Sequence, residues 1–352
     1  MKVLIKIIKF ILNYGINKKI KKYKYIHLMF NDKFNKPFVD FLNKNFEYKE
    51  HLVLCKKWFQ EFPFPTGKNV FKIRSFVGLD FSKCEKIICH SLFDKELVDY
   101  LYEHQNILKE KAYWTVFGGD LYNAPRDKKN DFVRSNFKGY VTGGDRAYLQ
   151  RKYDVLNKNF ISAPYIFPIT KKMLDNIKKD THDFIKIQIN NSCDFSTLEM
   201  LDILLKYKKE NIKITTILSY GKLEYKKKII QKGKNIFGDK FEYVDKFMPP
   251  EEYARYLSNI DILILNQNRQ QGVGNTYASL YLGNKVFISK KISTFEDFNN
   301  SGIKIYATED IKDLSFEDFV KNDYKEKTKN IMEREIYNEF YIVQKWNNIF
   351  GN

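Results

Sequence analysis

Short apolar runs that alternate with amphipathic stretches constrain the fold of this chain more than any other feature of its sequence. The runs YIHLMF at residues 25–30 and DILIL at residues 261–265 are continuous, as expected of strands buried on both faces of a parallel sheet. Charged stretches of helical length, such as residues 36–46 and 223–236, lie between such runs. The alternation predicts an α/β fold with doubly wound, Rossmann-like sheets covered by helices.

This alternation occurs twice, with an interruption between the two series. The segment SAPYIFP ends at Pro168 and holds two prolines, which cannot continue a helix. A chain of 352 residues is also long enough for two domains. We therefore expect one domain over residues 23–168, a second over residues 169–317 and a charged helical tail over residues 318–352. The two domains should face each other across a cleft, with ligands beyond the carboxyl ends of the strands.

The first 22 residues concentrate part of the net charge of +18. Residues 1–22 hold seven lysines and no acidic residue, and aliphatic side chains lie between the lysines. The apolar run is far shorter than the ~20 residues of a membrane span, and the lysines also break the pattern of a secretory signal. Two interpretations remain open: an amphipathic segment on an anionic membrane surface, or an extra element packed on the first domain.

The basic composition does not by itself indicate a nucleic-acid-binding protein. Only eight of the 61 basic residues are arginine. Proteins that recognise a nucleic-acid sequence rely on bidentate hydrogen bonds from arginine side chains. The four cysteines show no CxxC spacing, so neither structural zinc nor a disulfide framework is expected. No metal-binding motif such as HExxH is present, and we expect no metal or other cofactor.

Polar residues follow three predicted strands of the first half, at the edge where such sheets bind ligands. His90 comes directly after the run KIIC, and the ordinary pKa of histidine, near neutrality, suits a general base. Asp120 follows two glycines, and its carboxylate could deprotonate a sugar hydroxyl. A second Gly-Gly-Asp turn ends at Asp145. Each of these residues could instead cap the helix that follows it.

The most informative turn is NRQQGVGNT at residues 268–276, which follows the run DILIL. Its glycines would let backbone N–H groups and a helix N-terminus face a diphosphate. The pattern is neither GxGxxG nor a P-loop, so neither a dinucleotide site nor an NTPase follows. A second small polar turn closes the strand predicted at residues 184–189. The candidate donor-binding residues of these two turns are Asn191, Ser192, Arg269, Gln270, Gln271, Gly272, Gly274 and Asn275.

These segments together resemble glycosyltransferase family 56, the TDP-N-acetylfucosamine:lipid II N-acetylfucosaminyltransferases, also called 4-acetamido-4,6-dideoxygalactosyltransferases. The similar runs, in matching order over residues 25–305, are HSLF at 90–93, GDLY at 119–122, TGGD at 142–145, NS at 191–192 and RQQGVG at 269–274. The last run is the most specific. The chain departs from the family at Ser91 and Leu92, where Gly-Gln is often found, and near Phe117, where the family has a tryptophan.

The resemblance implies a GT-B fold and transfer of an acetamido-dideoxy sugar from a dTDP-sugar to a polyprenyl-diphosphate-linked saccharide. Such a step belongs to cell-surface polysaccharide synthesis, at the cytoplasmic face of the bacterial inner membrane. The enzyme would be a peripheral protein on an anionic membrane surface, with no nucleic-acid partner. Two alternatives stay open: a nucleotide-sugar epimerase of similar architecture, or a non-enzymatic module that binds anionic lipid or nucleic acid.

For the reaction itself, we expect the second domain to hold the donor and the first to present the acceptor. Asp120 is the first candidate for the base and His90 the second. The expected acceptor-binding residues are Phe93, Gly119, Tyr122 and Asp145.

Overall fold

The computed structural model describes residues 13–56, 62–142 and 144–351. They form two compact units, here called the first and the second unit. The first unit runs to Pro168 and includes the residues from Ile342 onward, and the second is Ile169–Tyr341. The chain thus divides after the proline-containing segment at residues 162–168. Residues 318–352 are not a tail of their own, because the two units share them.

The first unit is built on a parallel sheet. Within the described residues its seven strands are β1 Tyr25–Phe30, β2 His51–Lys56, β3 Val70–Ile73, β4 Lys86–His90, β5 Ala112–Thr115, β6 Gly139–Val141 and β7 Asn159–Ile161. Their order in the sheet is β3-β2-β1-β4-β5-β6-β7, and every neighbouring pair is parallel. The direction of winding reverses between β1 and β4. That position is the topological switch point, where sheets of this kind bind ligands.

Helices cover both faces of this sheet. They are Asn35–Asn45, Lys95–Glu103, Gln105–Lys111, Gly119–Tyr122, Lys128–Ser135 and Arg146–Tyr153. Ile26 and Leu28 of β1 pack into one apolar cluster, and Tyr25 and Met29 pack into another. Alternate residues of a strand point to opposite faces, so the sheet is buried on both sides. This explains why β1 reads as a continuous apolar run.

Residues 13–20 are helical and pack on the first unit. The Asn13 side-chain amide donates to Ser75 O (3.2 Å) and Val77 O (2.7 Å), and Ile20 is fully buried. Asn17 donates to Gly78 O at 2.8 Å. Residues 13–20 are therefore an extra element packed on the first unit, which was the second of the two interpretations of the basic segment. Residues 1–12 lie outside the described residues, and their contact with a membrane stays a prediction.

The second unit contains another parallel sheet. Its six strands in the described residues are β8 Ile185–Ile189, β9 Ile212–Ile217, β10 Phe241–Val244, β11 Ile262–Leu265, β12 Lys285–Ile288 and β13 Tyr306–Ala307. The order is β10-β9-β8-β11-β12-β13, again parallel throughout. The winding reverses between β8 and β11, which places the switch point of this sheet there.

Helices also flank the second sheet. They are Lys171–Asp175, Phe195–Leu204, Leu223–Phe237, Pro250–Ser258, Val273–Tyr281, Ser293–Asn300, Phe316–Val320 and Lys325–Arg334, with 3₁₀ turns at Leu205–Tyr207, Gly238–Lys240 and Thr308–Asp313. The last helix, Glu339–Phe350, starts in the second unit and continues into the first. In the part of the chain that the structure describes, no helix is long and apolar enough to span a membrane.

Candidate active site

Both turns that were predicted to bind the donor lie at the switch point of the second sheet. One follows β8 and the other follows β11, and these two strands are hydrogen-bonded neighbours. Asn190, the first residue after β8, has a left-handed backbone with φ 52°. Its side-chain oxygen accepts from the backbone N–H of Asn266, directly after β11, at 2.8 Å. The asparagine therefore turns the chain and joins the two turns.

A network of side-chain amides orients Arg269 at this edge. The hydrogen-bonding groups around Gln271 assign its amide oxygen to the side that faces Arg269. In that orientation the oxygen accepts from Arg269 Nη2 at 3.0 Å and from Nε at 3.1 Å. The Gln271 amide nitrogen donates to Ser192 Oγ at 3.0 Å, and the Gln267 amide lies 3.0 Å from the same hydroxyl. Because two nitrogens of the guanidinium bond the same oxygen, its orientation is restricted. The network brings together three of the predicted residues: Ser192, Arg269 and Gln271.

Gly272 allows the loop to approach β8 and enter the helix Val273–Tyr281. Its φ is +64°, and a Cβ at this position would lie 2.5 Å from Asn191 Nδ2. A glycine is thus required both by the backbone conformation and by the close contact. Thr276 N bonds back to Gly272 O at 2.9 Å, and the N–H groups that precede it point out of the helix end. The residues of this helix start are half-buried, and a helix N-terminus attracts anions.

The remaining predicted donor residues lie around the same helix start. Gly274 and Asn275 belong to its first turn. Gln270 donates to Thr294 Oγ1 at 3.2 Å. A shallow pocket that is partly open to solvent lies here, and Gln270 lines it together with Arg269 and Gln271. Its apolar wall is formed by Leu265, Val273, Ile288 and Ile292.

Among the buried polar atoms that have no hydrogen-bond partner within the described residues, two belong to β8 and the turn after it: Gln188 Oε1 and Asn191 Nδ2. Both side chains are fully buried, and Gln188 Nε2 donates to Asn191 Oδ1 at 2.8 Å. An unpaired buried polar group costs about 1–3 kcal/mol, so a ligand or water that paired with these atoms would be favoured. Gln188 was missed by the sequence analysis. The available signal was a glutamine near the end of the strand IKIQI, where it alternates with isoleucines.

In the first unit, the structure gives Asp120 a structural position. The side chain is buried, and its carboxylate accepts three hydrogen bonds: from Leu92 N (2.7 Å), Trp114 Nε1 (2.7 Å) and Phe117 N (3.0 Å). Burial raises the pKa of Asp120, and these hydrogen bonds act in the opposite direction. The carboxylate joins the turns after β4 and β5. A base must present an oxygen to its substrate, and this geometry does not support the predicted role.

His90 belongs to a buried chain of imidazoles. Its Nε2 lies 2.9 Å from His27 Nδ1, and His27 Nε2 lies 3.0 Å from His51 Nδ1. The other nitrogen of His90, Nδ1, lies 3.1 Å from the Tyr165 hydroxyl. Burial lowers the pKa of His90 to about 3 and that of His51 to about 4. Both nitrogens of His90 are thus engaged in the core, and the geometry does not favour His90 as a base.

The four predicted acceptor residues form two pairs. The Phe93 ring is 46% exposed, and Gly119 lies against it so closely that a Cβ would be 2.9 Å from Cζ. Tyr122 donates to Asp145 Oδ1 at 2.7 Å and stacks on Tyr148 with ring centroids 4.3 Å apart. Phe93 therefore offers an accessible aromatic face, whereas Asp145 is buried.

The sequence analysis also missed Asp32, which follows β1 at the switch point of the first sheet. It is half-buried, and its Oδ1 accepts from Phe34 N at 2.7 Å. The polar run NDK directly after the apolar strand was the available signal. Within the described residues, no group of three or more His, Cys, Asp or Glu side chains could hold a metal ion.

A comparison with sequence families decides the enzyme class. The profile of the family described as "4-alpha-L-fucosyltransferase glycosyl transferase group 56" matches residues 81–350 of this chain. The chain belongs to glycosyltransferase group 56. Membership of group 56 confirms the resemblance seen in the sequence. It also makes the chain a transferase rather than an epimerase or a binding module.

Solved structures that resemble this group 56 chain confirm the GT-B fold class. A glycosyltransferase from Rickettsia africae ESF-5 is 11% identical with a TM-score of 0.63, covering 94% of this chain and 99% of that one. A sucrose-phosphate synthase from Thermosynechococcus elongatus is 9% identical with a TM-score of 0.65, covering 93% and 98%. The S. aureus MnaA–UDP co-structure is 11% identical with a TM-score of 0.56, covering 93% and 97%. No curated protein sequence matches significantly.

Proposed function

We propose that this transferase moves an acetamido-dideoxy sugar from a dTDP-sugar to a polyprenyl-diphosphate-linked saccharide during cell-surface polysaccharide synthesis. The observation that carries the proposal is the group of polar turns at the switch point of the second sheet. There a helix N-terminus, an oriented guanidinium and two unpaired buried amide atoms lie together. These groups suit a ligand with a diphosphate and many hydroxyl groups. The dTDP donor and the lipid-linked acceptor follow from the resemblance to family 56.

The second unit would hold the donor and stabilise its leaving group. As the bond to the sugar breaks, negative charge grows on the nucleoside diphosphate. The N–H groups after Gly272 and the guanidinium of Arg269 would offset that charge. Gln270, at the same pocket, would bond sugar hydroxyls. A positive helix end and an arginine can do the work that a metal ion does in other transferases, so we propose transfer without a metal.

The first unit would bind the acceptor at the carboxyl edge of its sheet. The exposed ring of Phe93 offers an apolar face to a sugar ring. The hydrogen bond from Tyr122 to Asp145 joins the turns that follow β5 and β6 at the same edge.

Exposed lysines at residues 18, 19 and 21 and the net charge of +18 support binding at an anionic membrane surface. The lipid-linked acceptor would be found there, at the cytoplasmic face of the bacterial inner membrane. We propose that the enzyme works there as a peripheral protein.

A thermal-shift screen tests the donor class. We expect dTDP to raise the melting temperature more than UDP, GDP or CMP, because a ligand that binds only the native state stabilises it. The shift should persist in EDTA if no metal takes part. A shift with UDP or GDP alone would contradict the dTDP donor, and a shift abolished by EDTA would contradict the metal-free site.

Gly272→Ala tests the position of this site. The added methyl group would meet Asn191 Nδ2 and disfavour the left-handed backbone, which would displace the helix start. We expect the affinity for dTDP, measured by titration calorimetry, to fall at least about tenfold, or ~1.4 kcal/mol.

Gly302→Ala is the matched control for this variant. Gly302 has a φ of +76°, and the nearest atom to an added Cβ would be Ile331 Cδ1 at 3.8 Å. The control carries a similar backbone strain without the contact, so its dTDP affinity should match that of the wild type. If the wild type and both variants bound dTDP with equal affinity, the nucleotide would not bind at this helix start.

A further inference from the structure

We propose that Asp32 is the general base that accepts the proton of the acceptor hydroxyl, an inference that rests on the proposed function. Asp32 follows β1 by two residues, and β1 and β4 are the strands on either side of the first switch point. Ligands of doubly wound sheets bind outside the carboxyl ends of such strands. Asp32 is therefore placed where the first unit should hold its substrate.

The carboxylate of Asp32 has an oxygen available for a substrate, unlike that of Asp120. Oδ1 accepts from Phe34 N at 2.7 Å, which holds the side chain in place. The Asn35 N–H also interacts with the carboxylate. No hydrogen bond to Oδ2 is found among the residues that the structure describes, and the side chain is half-buried rather than enclosed. Asp120, in contrast, accepts three hydrogen bonds and is 2% exposed. Of these two carboxylates, Asp32 is the one that can receive a proton from a bound molecule.

Aromatic rings line the same edge of the sheet. The Phe34 ring lies 5.6 Å from Phe117, 6.2 Å from Tyr165 and 6.4 Å from Phe167, measured between centroids. All four side chains are half-buried. Aromatic faces beside a carboxylate suit a sugar, because its C–H groups pack on the rings while its hydroxyls bond the oxygens.

The protonation behaviour of Asp32 agrees with this role. Burial raises its pKa to about 6, against the opposite effects of the Phe34 and Asn35 N–H groups and of the Lys33 charge. The other titratable groups whose charges interact with it are Tyr165 and the Cys55 thiol. Burial raises the pKa of both, so they are neutral at pH 7. A base with a pKa near 6 is ionised at neutral pH and still basic enough to take a proton in the transition state.

The reaction step balances with these groups. The proton of the acceptor hydroxyl passes to Asp32 as the acceptor oxygen forms a bond to C1 of the donor sugar. The bond between C1 and the diphosphate oxygen breaks, and its electron pair leaves with the nucleoside diphosphate. The proton then passes from Asp32 to solvent, and no further reactant is needed.

The test compares Asp32→Asn with the wild type. The assay uses dTDP-4-acetamido-4,6-dideoxygalactose as the donor and a polyprenyl-diphosphate-linked disaccharide as the acceptor. An asparagine oxygen can still accept from Phe34 N, so the fold should be kept. We expect kcat to fall at least about 100-fold, with the dTDP thermal shift unchanged. The wild type should lose activity below about pH 6, and the residual activity of the variant should lose this dependence.

Asp40→Asn is the matched control, since Asp40 is exposed on the helix Asn35–Asn45 and pairs with Lys36 at 2.5 Å. Its kcat and pH profile should match those of the wild type. Transfer by Asp32→Asn within tenfold of the wild type, with the same acid limb, would overturn the role of Asp32 alone. A wild type that neither binds dTDP nor transfers the sugar would contradict the proposed function, and this proposal with it.

Discussion

Lowering the pH from 7 to 5 is expected to destabilise the first unit by several kcal/mol. Burial lowers the pKa of His90 to about 3 and of His51 to about 4, and it lowers that of His27 well below the usual value. The unfolded chain therefore binds protons that the folded unit excludes. Their contribution to stability is fully present above the unfolded pKa of about 6.5 and decreases as the pH falls toward the folded values. Each histidine can contribute about 1.4 kcal/mol per pH unit, hence about 4 kcal/mol per unit for all three. Below about pH 6, protonation of Asp32 in the folded unit offsets about one third of this loss.

Tryptophan fluorescence during urea unfolding measures this effect in the first unit. No tryptophan occurs between Ile169 and Tyr341, and Trp346 packs near His90 with ring centroids 6.2 Å apart. His51→Phe should reduce the pH dependence by about one third. His182→Gln, in the second unit, should leave it unchanged. If the free energy of unfolding changed by less than about 1 kcal/mol per pH unit, the buried histidines would be accepting protons in the folded unit, contrary to this prediction.

Asp120→Asn is expected to lower the free energy of unfolding of the first unit by about 3 kcal/mol. An asparagine has one accepting oxygen, whereas the carboxylate uses both of its oxygens for the three donors. At least one of Leu92 N, Trp114 Nε1 and Phe117 N would then face an NH₂ group inside the protein. Leaving such donors unpaired is costly because water cannot replace the lost acceptor. Urea unfolding followed by tryptophan fluorescence measures the loss.

Asp127→Asn is a suitable control for this substitution. Asp127 caps the helix Lys128–Ser135 at the surface, where its carboxylate accepts from Asn130 N at 2.8 Å. Asparagine is also a good cap, so stability should change by less than about 1 kcal/mol. If Asp120→Asn abolished transfer and left the stability unchanged, Asp120 would be the base and Asp32 would not.

The central strands were predictable from the sequence, whereas most strands at the sheet edges were not. β1 and β11 are buried on both faces, so their apolar runs are continuous and easy to recognise. β3, β7 and β10 were missed, and each lies at an edge of its sheet. An edge strand has a neighbour on one side only and is partly exposed. Its sequence, such as FEYV in β10, therefore mixes polar and apolar residues.

The two units differ in how well their sites could be predicted. In the second unit, polar residues at the ends of β8 and β11 had to meet, because the ends of neighbouring parallel strands lie at one edge. The contact between Ser192 and Gln271 follows from that topology. In the first unit, Asp120 and Asp32 both follow a strand, and the sequence does not distinguish them. The difference lies in the number of donors that surround each carboxylate, which depends on residues far along the chain.

The last helix determines when the first unit can be completed during protein synthesis. Trp346 packs on Phe38 and donates to Pro164 O at 3.0 Å, and Lys86 donates to Ile349 O at 2.7 Å. A ribosome releases these residues only after the whole of Ile169–Tyr341 has been made. The second unit is one continuous segment and can fold while the chain is still growing. The apolar core of the first unit stays incomplete until the last helix has been synthesised. Nascent chains that stop before Ile342 should therefore depend on chaperones.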